Sequence, residues 1–84
     1  KDAVEMSAVA KMLDKKIGRN QLFHLLREKK ILRDNNEPYQ EYVDRGWFRV
    51  IEQKYQTPTG ETKISIKPLV YQKGIYNINR MLTA

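Results

Sequence analysis

The sequence predicts a small α+β domain: two short helices, a two-stranded ribbon and a closing helix. Three observations predict it. Apolar residues recur at helical spacing through residues 6–13 and 22–26. A run of β-formers at 47–55 is followed by a turn and a clean alternation at 62–67. A last helical stripe lies at 75–82.

Met6, Val9, Ala10 and Leu13 make the first stripe, with Ser7 a candidate N-cap and an earlier start near Asp2 as the alternative. Asp14, Lys15, Lys16, Ile17 and Gly18 break the pattern as a short connection. Leu22, Leu25 and Leu26 form the stripe of the second helix with Phe23 on its flank, and Asn20, His24 and Arg27 fall roughly opposite. Gly18 suits the start of that helix, and Lys29 and Lys30 suit its negative C-terminal end. Residues 34–38 are turn chemistry, and Pro38 can open a short helical turn over 39–44 closed by Gly46. The first ribbon strand covers 47–55, and Thr57, Pro58, Thr59 and Gly60 have hairpin length. The second puts Ile64 and Ile66 on one face. Pro68 lacks an N–H, which places that strand at a sheet edge or near its end. Ile75, Ile78 and Leu82 share one face of a helix from about Gln72 to Leu82. Two helices ahead of a ribbon is the outline of a winged helix-turn-helix. Tyr39, Tyr42, Trp47, Phe48 and Tyr55 are expected mostly in the core, because so small a chain has little other apolar material.

The 84 residues make one domain, 40% hydrophobic and 31% charged, which is a globular composition. Cysteine is absent and His24 is the one histidine, which argues against disulfides, thiolate metal sites and multi-histidine zinc chemistry; no metal or cofactor is expected. The longest apolar run is three residues, far short of a membrane span. No glycine-rich phosphate loop, nucleophile elbow or metal motif is present, so the expected role is not enzymatic. The chain starts at Lys1 rather than Met, as expected of a fragment of a longer protein.

Sixteen basic residues against ten acidic give a net charge of +6, which favours an anionic partner. Its distribution says more. Residues 11–30 carry seven bases against two acids, 34–44 four acids and no base, and 47–84 six bases against two acids. In a helix-turn-helix the second helix reads base edges from its exposed face. Arg19, Asn20, Gln21, His24 and Arg27 are therefore candidate DNA contacts, since Asn and Gln can pair with adenine and Arg with guanine. Lys15 and Lys16 are candidates for phosphate, as are Lys54, Thr59 and Lys63 on the ribbon. Each has an ordinary reading too: a solvated helix face, a cap, a polar hairpin tip, or edge lysines that block strand pairing. The acidic segment, with Glu37, Tyr39, Glu41, Tyr42 and Asp44, is a candidate protein-binding surface, or a solvated strip. Oligomerisation through the last helix is a further expectation.

Three motifs carry a family resemblance. Ile17-Gly18-Arg19-Asn20-Gln21-Leu22-Phe23-His24-Leu25-Leu26-Arg27-Glu28-Lys29-Lys30-Ile31-Leu32 resembles the start of the phage antirepressor C-terminal domain, KilA-C. Pro38-Tyr39-Gln40-Glu41-Tyr42-Val43-Asp44-Arg45-Gly46-Trp47-Phe48 is similar to its central motif, and Leu69-Val70-Tyr71-Gln72-Lys73-Gly74 to its closing segment. The resemblance runs from about Met6 to Leu82, with residues 14–17 short beside many relatives. It implies a DNA-binding module over residues 1–84, set behind another domain in a bacteriophage or prophage antirepressor. Such proteins counteract a lysogeny repressor and favour lytic induction. The implied partners are double-stranded DNA and a phage repressor, in the cytoplasm of the bacterial host. Direct repressor binding through the acidic segment is the alternative function.

Overall fold

The first apolar stripe is preceded by a strand. In a computed structural model, which describes residues 3–83, Val4–Glu5 forms β1, and α1 follows over Met6–Met12. Asp2 lies outside the described residues. Ser7 does not cap α1; Glu5 holds the N-cap position in extended conformation without a side-chain bond, and Ser7 is exposed inside the first turn. The stripe itself is as expected, with Met6, Val9, Ala10 and Leu13 all buried.

The second helix, α2, spans Arg19–Glu28 with Gly18 as its N-cap. Leu22 and Leu26 are fully buried and Phe23 is 6% exposed, while Leu25 is only half-buried. Phe23 and Leu25 thus exchange their expected roles. At 100° per residue the two lie equally far, about 80°, on either side of the arc between Leu22 and Leu26, so helical spacing alone does not choose between them, and it is Phe23 that joins the core cluster. The helix ends in a Schellman motif: the Ile31 N–H donates to the Leu26 carbonyl (2.9 Å) and the Lys30 N–H to the Arg27 carbonyl (3.1 Å). Lys30 therefore takes the left-handed conformation, φ +61°, usually left to glycine.

Residues 31–39 fold back on themselves. Leu32 bridges Pro38, the Arg33 N–H donates to the Glu37 carbonyl (2.8 Å), and the Tyr39 N–H donates to the Ile31 carbonyl (3.1 Å). Pro38 is held in that bridge, so the short helix α3 (Gln40–Asp44) starts from Tyr39 and stops before Gly46, at φ +80°.

The ribbon comprises β2 (Phe48–Gln56) and β3 (Thr62–Val70), in antiparallel register from Phe48↔Val70 to Gln56↔Thr62. Gly60, at φ +89°, makes the turn. β1 pairs Val4 with Val70 and Glu5 with Leu69, so the order is β1-β3-β2 and β3 is central. The strand with Pro68 is therefore not an edge strand, and it ends nearby, two residues on at Val70. The constraint is still met, because the chain leaves β1 for α1 at Met6 and β3 has one strand neighbour at Pro68.

Only the base of the ribbon meets the core. Phe48 and Val70 are buried, whereas Ile64 is 57% exposed and Tyr55, expected in the core, is 49% exposed. Nine-residue strands are about 30 Å long, more than a body of this size can cover. The radius of gyration is 13.6 Å and the long axis 47 Å, against a radius of about 12 Å for a compact domain of this length. Trp47 and Phe48 join the core as expected, and Tyr39 and Tyr42 are half-buried.

The last helix, α4 (Gln72–Thr83), buries Ile75 and Ile78 with Leu82 half-buried. Its apolar face turns to the domain's own core. Gly74 brings α4 against the base of the ribbon. A Cβ there would run into the Trp47 carbonyl oxygen and come within 2.9 Å of Val70 Cγ1. Among the described residues the whole is a small α+β domain of four helices and a three-stranded antiparallel sheet, and no helix is long and apolar enough to cross a membrane.

Gly74→Ala is expected to lower stability by about 2–3 kcal/mol, the cost of overpacking against backbone that cannot move aside, read from urea denaturation. In the same assay Lys30→Gly should raise it by about 0.5–1 kcal/mol, by relieving a left-handed residue that carries a Cβ.

Candidate nucleic-acid interface

The N-terminal half of α2 presents three adjoining surfaces. Asn20 and His24 are four residues apart and both exposed, forming the outward stripe. Arg19 lies to one side with its guanidinium 4.8 Å over the Phe23 ring, and it also donates to the Asn20 side-chain oxygen at 3.2 Å. Gln21 lies to the other side, lining a hollow of about 440 Å³ with Lys11 and Lys16. Lys11 contributes to the charge of residues 11–30 but is not among the candidate DNA contacts named from the sequence. Only its spacing to Lys15 across the end of α1 was available as a signal, and a lysine there has the ordinary task of balancing the helix dipole.

The connection between α1 and α2 carries Lys15 and Lys16, both exposed. Among the described residues neither has a carboxylate partner, and neither do Arg19, Lys54 and Lys63. Other charges are engaged. Lys67 pairs with Glu5 at 2.9 Å, Arg45 with Glu41 at 2.6 Å, and His24 lies 3.5 Å from Glu28. Arg27 is half-buried and donates to the Asn36 side-chain oxygen at 2.6 Å, which ties α2 to the folded-back loop. Asn36 can serve there because it adopts φ +69°, which Asn tolerates better than most residues.

Between α2 and the ribbon runs a groove of about 370 Å³, lined by Arg19, Phe23, Asn36, Gln53, Ser65 and Lys67 among others. It follows the side of β3 that β1 leaves uncovered. Lys54 and Lys63 do not act together on it. Lys54 is opposite Ile64 and Lys63 opposite Tyr55, so they stand on opposite faces of the ribbon. Glu52 and Glu61 lie in the same exposed half of the ribbon, so its charge is balanced. Thr59 is exposed at the tip, with its hydroxyl 2.9 Å from that of Thr57.

The acidic segment is dispersed by its surroundings. Glu41 is bound by Arg45, Asp44 accepts from the Gln40 side chain at 2.8 Å, and Glu37 is half-buried. The Arg33 guanidinium sits 4.6 Å over the Tyr39 ring, and Tyr42 packs on Trp47 with ring centres 4.8 Å apart. Two arginines from outside the segment thus cover the acids and aromatics that looked like a single surface.

Comparison with known proteins agrees with the whole-chain extent of this fold. The family model described as "Phage antirepressor protein KilAC domain" matches residues 1–84. The "SPbeta prophage-derived putative antirepressor protein YoqD" of Bacillus subtilis (strain 168) is 43% identical over 77 residues, covering 84% of this chain and 28% of that protein. The chain thus spans little more than a quarter of that curated relative. No solved structure matches the chain. The chain belongs to the KilAC domain family of phage antirepressor proteins.

Proposed function

We propose that the domain binds double-stranded DNA without catalysing a reaction, through α2 and the connection before it, as part of an antirepressor that counteracts a lysogeny repressor in its bacterial host. The observation that carries this reading is the group Lys15, Lys16 and Arg19: cations at and just before the start of a ten-residue helix, with no carboxylate partner among the described residues. The free N–H groups of that helix start also favour an anion. Asn20 and Gln21 then stand where a helix entering the major groove offers its base-reading side chains.

Element order supports a winged helix-turn-helix, with α1 and α2 as the helix pair and the hairpin turn as the wing. The sheet order β1-β3-β2 fits it. In that fold a short strand ahead of the helix pair lies against the second wing strand, as β1 lies against β3. The exposed half of the ribbon has balanced charge, so the helix side supplies most of the phosphate attraction. Direct capture of a repressor by the acidic segment is less well supported, because Arg45 and Gln40 already engage Glu41 and Asp44.

The test is a salt titration of binding to a mixed-sequence duplex. Log affinity should fall linearly with log salt, by about 0.9 for each phosphate neutralised. Combined Lys15→Ala, Lys16→Ala and Arg19→Ala should remove about three contacts from that slope and most of the affinity. An unchanged slope overturns the placement.

A further inference from the structure

The connection that carries Lys15 and Lys16 is tied to the far end of the chain. The Asn79 carboxamide of α4 makes two reciprocal bonds to Asp14: its oxygen accepts the Asp14 backbone N–H (3.0 Å), and its nitrogen donates to Asp14 Oδ2 (3.0 Å). A carboxamide offers an acceptor and a donor on separate atoms of one planar group, so it can meet both partners side by side. The backbone N–H needs the first and the carboxylate needs the second, so the orientation of the carboxamide is decided by chemistry. Asn79 is half-buried beside the fully buried Ile78, which gives the clamp a rigid base. The Thr83 hydroxyl also bonds the Asn79 carbonyl at 2.9 Å.

We propose that Asn79 is a positioning residue of the DNA interface: by clamping Asp14 it fixes the backbone that presents Lys15 and Lys16, and it turns the Asp14 carboxylate toward α4 and away from those lysines. This rests on the DNA-binding reading above. The clamp acts on binding in two ways with the same sign. It restricts a connection that would otherwise have to be ordered on contact with phosphate. It also engages an acid that would otherwise be free to pair with its two basic neighbours.

The experiment compares wild-type chain with Asn79→Ala, Asp14→Ala and Asp14→Asn, each first shown to be folded by circular dichroism. Binding to a mixed-sequence duplex is titrated from about 50 to 200 mM salt. Asn79→Ala should bind about tenfold more weakly, with a salt slope lower by the equivalent of one to two phosphates. Asp14→Ala separates positioning from simple charge. It raises the net charge by one, so charge alone requires tighter binding, whereas loss of the clamp requires weaker binding. Asp14→Asn keeps an oxygen to accept from Asn79 and should hold at least wild-type affinity. Hydrogen exchange at the Asp14 amide should be protected in wild type and released in Asn79→Ala. Wild-type affinity in Asn79→Ala, or tighter binding by Asp14→Ala, overturns the clamp alone. Absence of any salt-dependent duplex binding by the wild-type chain overturns the DNA reading and this proposal together.

Discussion

The backbone of Trp47 is the point from which the rest of the domain takes its geometry. Its N–H donates to the Tyr42 carbonyl (3.0 Å), closing α3 onto the ribbon, and its carbonyl accepts the Tyr71 N–H (2.9 Å), where β3 passes into α4. Gly74 packs against that same carbonyl. Three elements therefore meet at the backbone of one residue, and only a residue without Cβ lets α4 approach its carbonyl. The angle of α4 then brings Asn79 to Asp14, and so reaches the basic connection at the other side of the fold. A close approach at the ribbon base is thus linked to the candidate interface through one rigid helix.

The second constraint is the folded-back segment 31–39. A left-handed Lys30 turns the chain sharply at the end of α2, and Asn36 reverses it. Arg27 then pins that reversal to α2. The segment that looked like plain turn chemistry is in fact a wall of the groove beside α2. Its Arg33 covers the Tyr39 ring, and Arg45 beyond it engages Glu41, so the acidic stretch that the linear count isolates does not stand as one free surface.

Periodicity made the helices legible. Met6, Val9, Ala10 and Leu13 are buried as their spacing requires, and α4 lies where Ile75, Ile78 and Leu82 put it. The two ribbon strands were legible as well, but β1 was not. Two residues carry no period, and the pairing of Val4 with Val70 is a long-range contact that local pattern does not encode. The exposure of Ile64 and Tyr55 was hidden for another reason: alternation tells which face a residue occupies, and only the length of the body tells whether anything covers that face. At the candidate interface, charge and helical position singled out Lys15, Lys16 and Arg19, which are exposed. They did not reveal that Arg27 is drawn into the fold by Asn36, nor that Lys54 and Lys63 face apart. Asn79 gave no sign of its role, because an asparagine late in an amphipathic helix looks like any polar surface residue.

The bond between Asp14 and Asn79 spans 65 positions of sequence. Closing a loop of that length costs more chain entropy than a local contact does, so the bond depends on the rest of the fold to hold its two ends together. During synthesis the basic connection is made 65 residues ahead of its partner. A nascent or C-terminally clipped chain would carry the full local charge of the connection without its fixed geometry. The geometry of the connection is thereby tied to the presence of α4.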